Sequence, residues 1–383
     1  MQQFDIIVIG AGPAGSAAAA WAVRHGASVA LIDKAVFPRS KLCGGLFTER
    51  SRSYYNEIFG EDIVYDNYLT QNAISFWHDK AEVATLHGIP PLHLTMRIDL
   101  DAKMHALALH HGAQDFSGQS ISEIHADGVT LSSGQRLFAQ VIIGADGVNS
   151  GVARHLFGQA YDKATIGFGL EVEVPFDEDN QPLTPLRIDF SAVRWGYGWS
   201  FPKHRSTTVG VGGMLAPNPD MKSHLGSYMD SLGVDDQQPR VKGHFLPFGD
   251  FKTHPGRANI LLSGDAAGLV DPITGEGIAF AMKSGQLAAQ SAMDAIAKST
   301  PHAALNLYRR ELRSMHLNLR IARNLRRIIF SPRWEQTFVS TFRKSSTVRL
   351  QYMRLLAGEV EYPQIAISVI SRLPGYLWTR LRS

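Results

Sequence analysis

The chain has 383 residues, 44% apolar and 19% charged, an ordinary globular balance with enough length for a large core in two closely packed domains. A single cysteine excludes an intramolecular disulfide framework and fits a reducing compartment. No apolar run is long enough to span a bilayer, and a strand signal that starts by residue 4 leaves no room for a leader, so the expected location is cytoplasmic. The net charge of +3 is unevenly spread: from residue 301 onward Lys and Arg number 15 against 4 Asp and Glu, so the rest of the chain is acidic.

Residues 4–9 form an apolar run of the kind a buried parallel strand needs. Gly10-Ala11-Gly12-Pro13-Ala14-Gly15 follows at once, residues 14–25 are rich in small helix formers, and residues 28–32 read as a second strand ending at Asp33. This spacing predicts a βαβ unit of roughly 30 residues. Gly10 permits the tight turn, Gly12 lets the backbone approach a pyrophosphate, and Gly15 lets helix and strand pack closely. The helix N-terminus then meets the phosphates and Asp33 accepts from ribose hydroxyls. A tight strand–helix turn without a ligand is the plainer alternative.

Residues 36–60 read as a loop-like excursion holding Arg39, Lys41 and Cys43-Gly44-Gly45. Arg97-Ile98-Asp99-Leu100 leads into a helical pattern, Leu100, Met104, Leu107 and Leu109, that ends at Gly112. Short strands at 120–124 and 129–131 precede Val141-Ile142-Ile143, which opens a second glycine signal, Gly144-Ala145-Asp146-Gly147. Strand patterns at 169–174, 186–190, 197–201 and 207–212 predict an inserted, largely antiparallel sheet. Ile260-Leu261-Leu262-Ser263 returns to the nucleotide fold and opens a third signal, Gly264-Asp265-Ala266-Ala267-Gly268, before Pro272-Ile273-Thr274-Gly275-Glu276-Gly277-Ile278. Helices are expected from 277 to about 330 and again toward the C-terminus.

Three such signals in this order point to a flavin held along its whole length, so FAD is the expected cofactor. Asp265 can accept from ribityl hydroxyls. The helix that starts near Ile278 favours negative charge, which suits the anionic pyrimidine end of a reduced flavin; Gly275 and Gly277 equally serve helix capping. The expected fold is α/β: a Rossmann-type FAD-binding domain (1–70, 96–160 and 255–300), an inserted, mostly antiparallel β-sheet substrate domain (71–95 and 161–254), and a basic helical C-terminal region (301–383).

These residues resemble the flavoprotein superfamily of para-hydroxybenzoate hydroxylase, which includes aromatic hydroxylases, flavin halogenases and geranylgeranyl reductases. The resemblance runs from residue 4 to about residue 330. It implies FAD contacts at Gly10, Gly12, Gly15, Asp33, Arg97, Asp146 and Asp265, with Pro13, Ala14, Lys34, Cys43, Gly44, Ile121, Gly264, Gly275, Gly277 and Ile278 beside them. Arg97 read alone is equally a surface charge. Lys41-Leu42-Cys43-Gly44-Gly45 resembles the Cys-Gly segment of geranylgeranyl reductases. Trp195-Gly196-Tyr197-Gly198-Trp199-Ser200-Phe201-Pro202-Lys203 resembles their Tyr-x-Trp-x-Phe-Pro signature, with Arg194 where the longer form can begin with proline. Halogenases carry a similar Trp-x-Trp-x-Ile-Pro, so it is the pair of motifs that points to the reductase branch.

In a strand, Tyr197, Trp199 and Phe201 share a face that can guide an elongated apolar substrate; packing the inserted sheet is the alternative. Aromatic faces ease positive charge on a tertiary carbon, so Tyr197 and Trp199 are catalytic candidates. Cys43 is a third, to position substrate or relay a proton, with an inert buried thiol as the alternative. Reduction of isoprenoid double bonds is the activity the resemblance implies. Rivals are a flavin monooxygenase, a halogenase, and a catalytically idle membrane-associated flavoprotein. With one glycine fingerprint, the electron donor is expected to be NAD(P)H docking transiently or a ferredoxin-like protein.

Arg309, Arg313, His316, Arg320, Arg323 and Arg327 recur at spacings of four and three, a basic helical stripe beside an apolar one of Leu312, Met315, Leu319 and Ala322. Such a helix suits an anionic membrane surface or a diphosphate-bearing lipid, or is an ordinary solvated face. Apolar and aromatic residues at 365–370 and 373–378 extend the membrane expectation. No nucleic-acid motif accompanies the charge, and the 15 histidines show no ligand spacing, so no metal is expected.

Overall fold

The computed structural model describes residues 2–64, 66–176, 185–234 and 240–367. β1 (Gln2–Ile9) runs through the first glycine turn into α1 (Pro13–Arg24), and β2 (Val29–Asp33) lies beside it. The small side chains of Ala17, Ala18, Ala19, Ala20 and Ala22 are all buried, which lets α1 sit close on the sheet. Residues 36–60 are not a plain loop. They hold β3 (Leu46–Phe47) and α2 (Glu49–Phe59), capped by Thr48 accepting from the Ser51 N–H and ended by Gly60 at φ 76°. The mostly polar composition of α2 hid the helical spacing of its buried Tyr55, Ile58 and Phe59.

β4 (Leu69–His78) and β5 (Ala81–Leu94) form a long hairpin before α3 (Arg97–His110). β6 (Gln114–Ser117), β7 (Ile121–His125), β8 (Gly128–Leu131), β9 (Arg136–Gly144) and α4 (Gly151–Phe157) follow. Next come β10 (Gly167–Pro175), β11 (Leu186–Asp189), β12 (Gly196–Pro202), β13 (Ser206–Met214), α5 (Met221–Ser231) and β14 (Lys242–Leu246). β15 (Gly256–Arg257) and β16 (Ile260–Leu262) lead to α6 (Ile278–Ala297), α7 (Ala304–Glu311), α8 (Arg313–Phe330), α9 (Glu335–Lys344) and α10 (Ser346–Ala357).

The first sheet has the order β15-β16-β9-β1-β2-β6, with β8 joining β9 and β7 joining β8. Strands β16, β9, β1, β2 and β6 are parallel. Gly144 stands opposite both Ile9 and Leu262, so the three glycine signals, spread from residue 10 to residue 268 in sequence, leave the sheet side by side. They share its carboxyl edge, where doubly wound folds hold dinucleotides.

The second sheet has the order β14-β10-β13-β12-β11-β4-β5-β3. It is antiparallel except where β11 meets β4. One face packs Leu170, Val172, Val209 and Val211 against Leu225 and Tyr228 of α5. The other packs Ile74, Phe76, Ile188 and Phe201 against Phe342, Met353 and Leu356. The C-terminal helices thus complete the core of the inserted sheet.

That packing corrects one expectation. Leu312, Leu319 and Ala322 are buried, and Met315 packs against the main core, so the apolar stripe beside the arginines faces inward rather than toward a membrane. Arg323 pairs with Asp250 and stacks on Phe251. Among the described residues no helix is long and apolar enough to cross a membrane. Of the apolar segments expected at 365–370 and 373–378, everything beyond Ile367 lies outside the described residues.

Candidate active site

A cavity of about 800 Å³ runs from the carboxyl edge of the parallel sheet to the inner face of the second sheet. At the sheet edge, Gly10 has φ +97°, and a Cβ there would lie 2.4 Å from the Ala145 carbonyl oxygen. Only glycine lets the first and second signals approach so closely. A Cβ at Gly15 would lie 1.7 Å from the Gly10 carbonyl, so Gly15 acts through packing and does not line the cavity. Gly12 caps α1 with no side-chain hydrogen bond, leaving its first N–H groups turned to the cavity that Gly12, Pro13 and Ala14 line.

Asp33 fastens this turn: Oδ2 accepts from Ala11 N–H at 2.8 Å and Oδ1 from Ala35 N–H at 2.9 Å. Lys34, Ile121 and Asp146 also line the cavity. The Asp146 carboxylate is engaged by Ser150 Oγ at 2.5 Å and Gly151 N–H at 2.6 Å, which holds the turn and leaves its backbone toward the cavity. Burial pushes this carboxyl up despite those bonds. Asp265 differs: it lines the cavity, and no hydrogen bond occupies its carboxylate among the described residues. Gly264 lies behind the wall, with φ +58° and a hypothetical Cβ 3.0 Å from Ala14 Cβ. Gly277 caps α6, again without a side-chain bond, and lines the cavity with Gly275 and Ile278.

The Cys43-Gly44-Gly45 segment crosses the middle. Cys43 N–H donates to Glu171 Oε1 at 3.1 Å, and Gly45 N–H reaches Cys43 Sγ at 3.4 Å. Arg97 is buried rather than a surface charge: Nε and Nη2 donate to Asp101 at 2.6 and 2.7 Å, and it lines the cavity with Cys43. Against the cost of burial, Asp101 holds that guanidinium firmly protonated. Burial pushes Glu171 up to about 7 although Lys203 opposes it. Lys41 Nζ donates to His244 Nε2 at 2.7 Å, and burial with the neighbouring Lys41 brings His244 down to about 4, leaving the ring neutral.

Tyr197, Trp199 and Phe201 form one wall of the cavity, as alternation in β12 requires. A Cβ at Gly44 would lie 2.8 Å from the Phe201 ring, so the cysteine segment rests directly on this wall. Trp199 Nε1 is buried without a partner. Tyr197 Oη donates to the Thr274 carbonyl at 2.6 Å, and burial, reinforced by Asp271, pushes its phenol up. Beyond the wall the cavity is lined by Ile74, Leu186, Ile188, Phe330, Tyr352 and Leu356.

The sequence reading missed three features here. Phe330, Tyr352 and Leu356 close the apolar end; the i, i+4 spacing of the last two was legible, but the surrounding arginines drew attention to charge. Glu276 lines the cavity, accepts from Thr48 Oγ1 at 2.6 Å and lies 3.4 Å from Arg50 Nε. Burial pushes it up to about 7 against the pull of Arg50. Tyr362 Oη donates to Asp271 Oδ1 at 2.9 Å, while Asp271 also accepts from the Ile273 and Thr274 N–H groups. The C-terminal segment thereby braces the turn before α6.

These features fit FAD: two uncapped helix N-termini, a glycine cradle that a Cβ would fill, and Asp33 and an unengaged Asp265 lining one cavity. The profile of FAD dependent oxidoreductases matches residues 5–79. A menaquinone reductase of Mycobacterium tuberculosis is 32% identical over 310 residues, covering 75% of this chain and 76% of that protein. A geranylgeranyl diphosphate reductase of Rhodobacter capsulatus is 29% identical over 320 residues, covering 80% of this chain and 79% of that protein. A geranylgeranyl bacteriochlorophyll reductase-like protein of Thermoplasma acidophilum superposes with a TM-score of 0.80 at 21% identity, over 97% of this chain and 99% of that one. A flavin-dependent brominase shares the fold, with a TM-score of 0.76 at 20% identity over 98% and 100% of the two chains. Matched in sequence across three quarters of its length and in fold throughout, the chain belongs to the menaquinone reductase and geranylgeranyl reductase family of FAD-dependent oxidoreductases.

Proposed function

We propose that the protein reduces carbon–carbon double bonds of an isoprenoid chain, adding one hydride and one proton across each bond. The observation that carries this reading is the continuity of one cavity from the glycine cradle, past Cys43, to an apolar end walled by Tyr197, Trp199, Phe330 and Leu356. Such a shape suits an elongated hydrocarbon with its reacting bond near the sheet edge.

FAD, when bound and reduced by the electron donor, would supply the hydride and with it both electrons. Gly10, Gly12 and the start of α1 would hold its pyrophosphate, Asp33 a ribose, Asp265 the ribityl hydroxyls, and Gly277 with Ile278 the negative end of the ring. The aromatic wall excludes water and stabilises positive charge on the tertiary carbon as the neighbouring carbon is protonated. Cys43, tethered by Glu171 and Gly45, orients the substrate. Glu276, pushed up to about 7 by burial, keeps a proton on its carboxyl in many molecules at neutral pH, with Thr48 bonded to Oε1. We assign it the proton store. NAD(P)H or a ferredoxin-like protein serves as electron donor. The prenyl substrate is reached at a membrane surface through charge, since the apolar face of α8 is spent on the core.

Anaerobic mixing of the reduced holoprotein with geranylgeranyl diphosphate, which carries no quinone ring to accept the electrons, tests this reading. Reoxidation, seen as recovered flavin absorbance only when substrate is present, supports it. Reoxidation only by air, with oxygen found in the product, assigns the protein to the monooxygenases; no turnover of any kind leaves an idle flavoprotein.

A further inference from the structure

A second cavity, about 470 Å³, lies between the α7–α8 face and Thr253, and it shares no lining residue with the reaction cavity. α7 and α8 are separated only by Leu312, so residues 309, 313, 316 and 320 follow one helical face. The opposite face is fixed in the core through Leu312, Leu319 and Ala322, which holds the basic face outward. Arg309, Arg310, Arg313 and Arg320 line the cavity. Among the described residues none of them has a carboxylate partner. One turn further on, Arg323 pairs with Asp250, and Arg326 is buried and donates to the Phe248 carbonyl at 3.0 Å. Four guanidiniums without a carboxylate partner among the described residues thus meet in one pocket.

His316 is the independent observation. It lines the same cavity, is only 8% exposed, and stacks on Phe251 with ring centroids 4.9 Å apart. Its Nε2 is buried with no partner, an arrangement that costs about 1–3 kcal/mol if nothing satisfies it. Burial, reinforced by Arg320 and Arg309, brings the ring down to about 4. A neutral imidazole that carries its proton on Nε2 can donate it to an oxyanion held in the cavity that His316 lines. Guanidinium forks match phosphate oxygens in pairs, and a ligand of high negative charge relieves the repulsion among four of them.

We propose that this pocket is a binding site for a multiply charged phosphate group, separate from the reaction cavity. The group belongs either to a soluble phosphorylated ligand or to an anionic lipid headgroup.

Inorganic pyrophosphate titrated into the FAD-loaded full-length protein by calorimetry is the test. Arg313 and Arg320 are exposed, so the Arg313→Gln/Arg320→Gln variant keeps the fold. It is compared with Arg343→Gln/Lys344→Gln, which removes the same charge elsewhere. Binding that falls at least tenfold in the first variant and is unchanged in the second, with the His316 Nε2 nitrogen resonance shifting on saturation of the wild type, supports the site. Absent binding, equal loss in both variants, or an unmoved His316 resonance overturns it. Sedimentation with phosphatidylglycerol vesicles then separates the sources. Vesicle binding that pyrophosphate releases and that the first variant lacks identifies a lipid headgroup. Pyrophosphate binding without vesicle binding identifies a soluble ligand. Vesicle binding without pyrophosphate binding shows diffuse attraction and overturns the site.

Discussion

Tyr197 Oη donates to the Thr274 carbonyl at 2.6 Å, latching β12 of the inserted sheet to the turn that leads into α6. Gly275 sits beneath the latch with φ +71°, and a Cβ there would lie 2.3 Å from the same phenol oxygen. Tyr197→Phe is expected to cost about 1 kcal/mol of stability, the net worth of one hydrogen bond, while retaining FAD and the aromatic wall. Gly275→Ala displaces the phenol and strains the turn, so it is expected to release FAD. Thermal melts and the flavin-to-protein absorbance ratio of the two purified variants check the contrast.

Gly10 and Gly12 fail differently when substituted. Gly10→Ala puts a methyl against the Ala145 carbonyl in left-handed backbone, and the expected outcome is misfolding or a loss of several degrees in melting temperature. At Gly12 the nearest atom to a Cβ is the flexible end of Arg39 at 3.4 Å. Gly12→Val is therefore expected to fold and yet purify without FAD, because its side chain occupies the pyrophosphate approach. Circular dichroism alongside flavin content distinguishes the two; a yellow Gly12→Val protein contradicts the assignment of the cradle.

Glu276 makes a pH prediction. Its folded-state value of about 7 lies above the unfolded value of ~4.3, so between these the folded state holds the extra proton. Stability from this group is fully present below the unfolded value and is lost as pH rises through about 7. Wild-type melting temperature is expected to fall more steeply from pH 5 to pH 8 than that of Glu276→Gln, the gap approaching ~3 kcal/mol by linkage. If Glu276 is the proton store, kcat falls in the variant by about tenfold or more while KM changes little. Parallel pH profiles of stability argue against the buried proton, and an undiminished kcat against its use.

On the proposed reading, the apolar end is expected to limit the length of prenyl chain that is accepted. Leu356→Trp narrows the cavity beside Phe330 and Tyr352 without touching the glycine cradle, so FAD content stays unchanged while KM rises for a twenty-carbon chain more than for a ten-carbon one. Phe330→Ala enlarges the same end and costs about 3–5 kcal/mol of stability. Steady-state kinetics across prenyl chain lengths check both substitutions.

The cradle was legible in the sequence because its physics is local. Gly10, Gly12 and Asp33 sit within one βαβ unit, and Gly144 and Gly264 each follow an apolar strand directly. Alternation likewise placed Tyr197, Trp199 and Phe201 on one face. Contacts between distant segments were not legible. Nothing in the spacing of Glu276 announces Thr48 and Arg50, and nothing near Asp271 announces Tyr362. The basic stripe was read correctly as a helix face, yet Leu319 and Ala322 serve the core as well as they would a bilayer, because both environments reward the same apolar surface. In α2 the polar residues outnumbered the three that matter, and only packing showed which face was inside.

Mass spectrometry of the substrate after anaerobic incubation tests the central claim most directly. Chemically reduced holoprotein is incubated with geranylgeranyl diphosphate and, separately, with menaquinone. The account predicts products heavier by successive pairs of hydrogens, located in the isoprenoid chain by fragmentation, and none with the Gly12→Val protein. Recovery of both compounds unchanged, or products that carry added oxygen only after exposure to air, would contradict it.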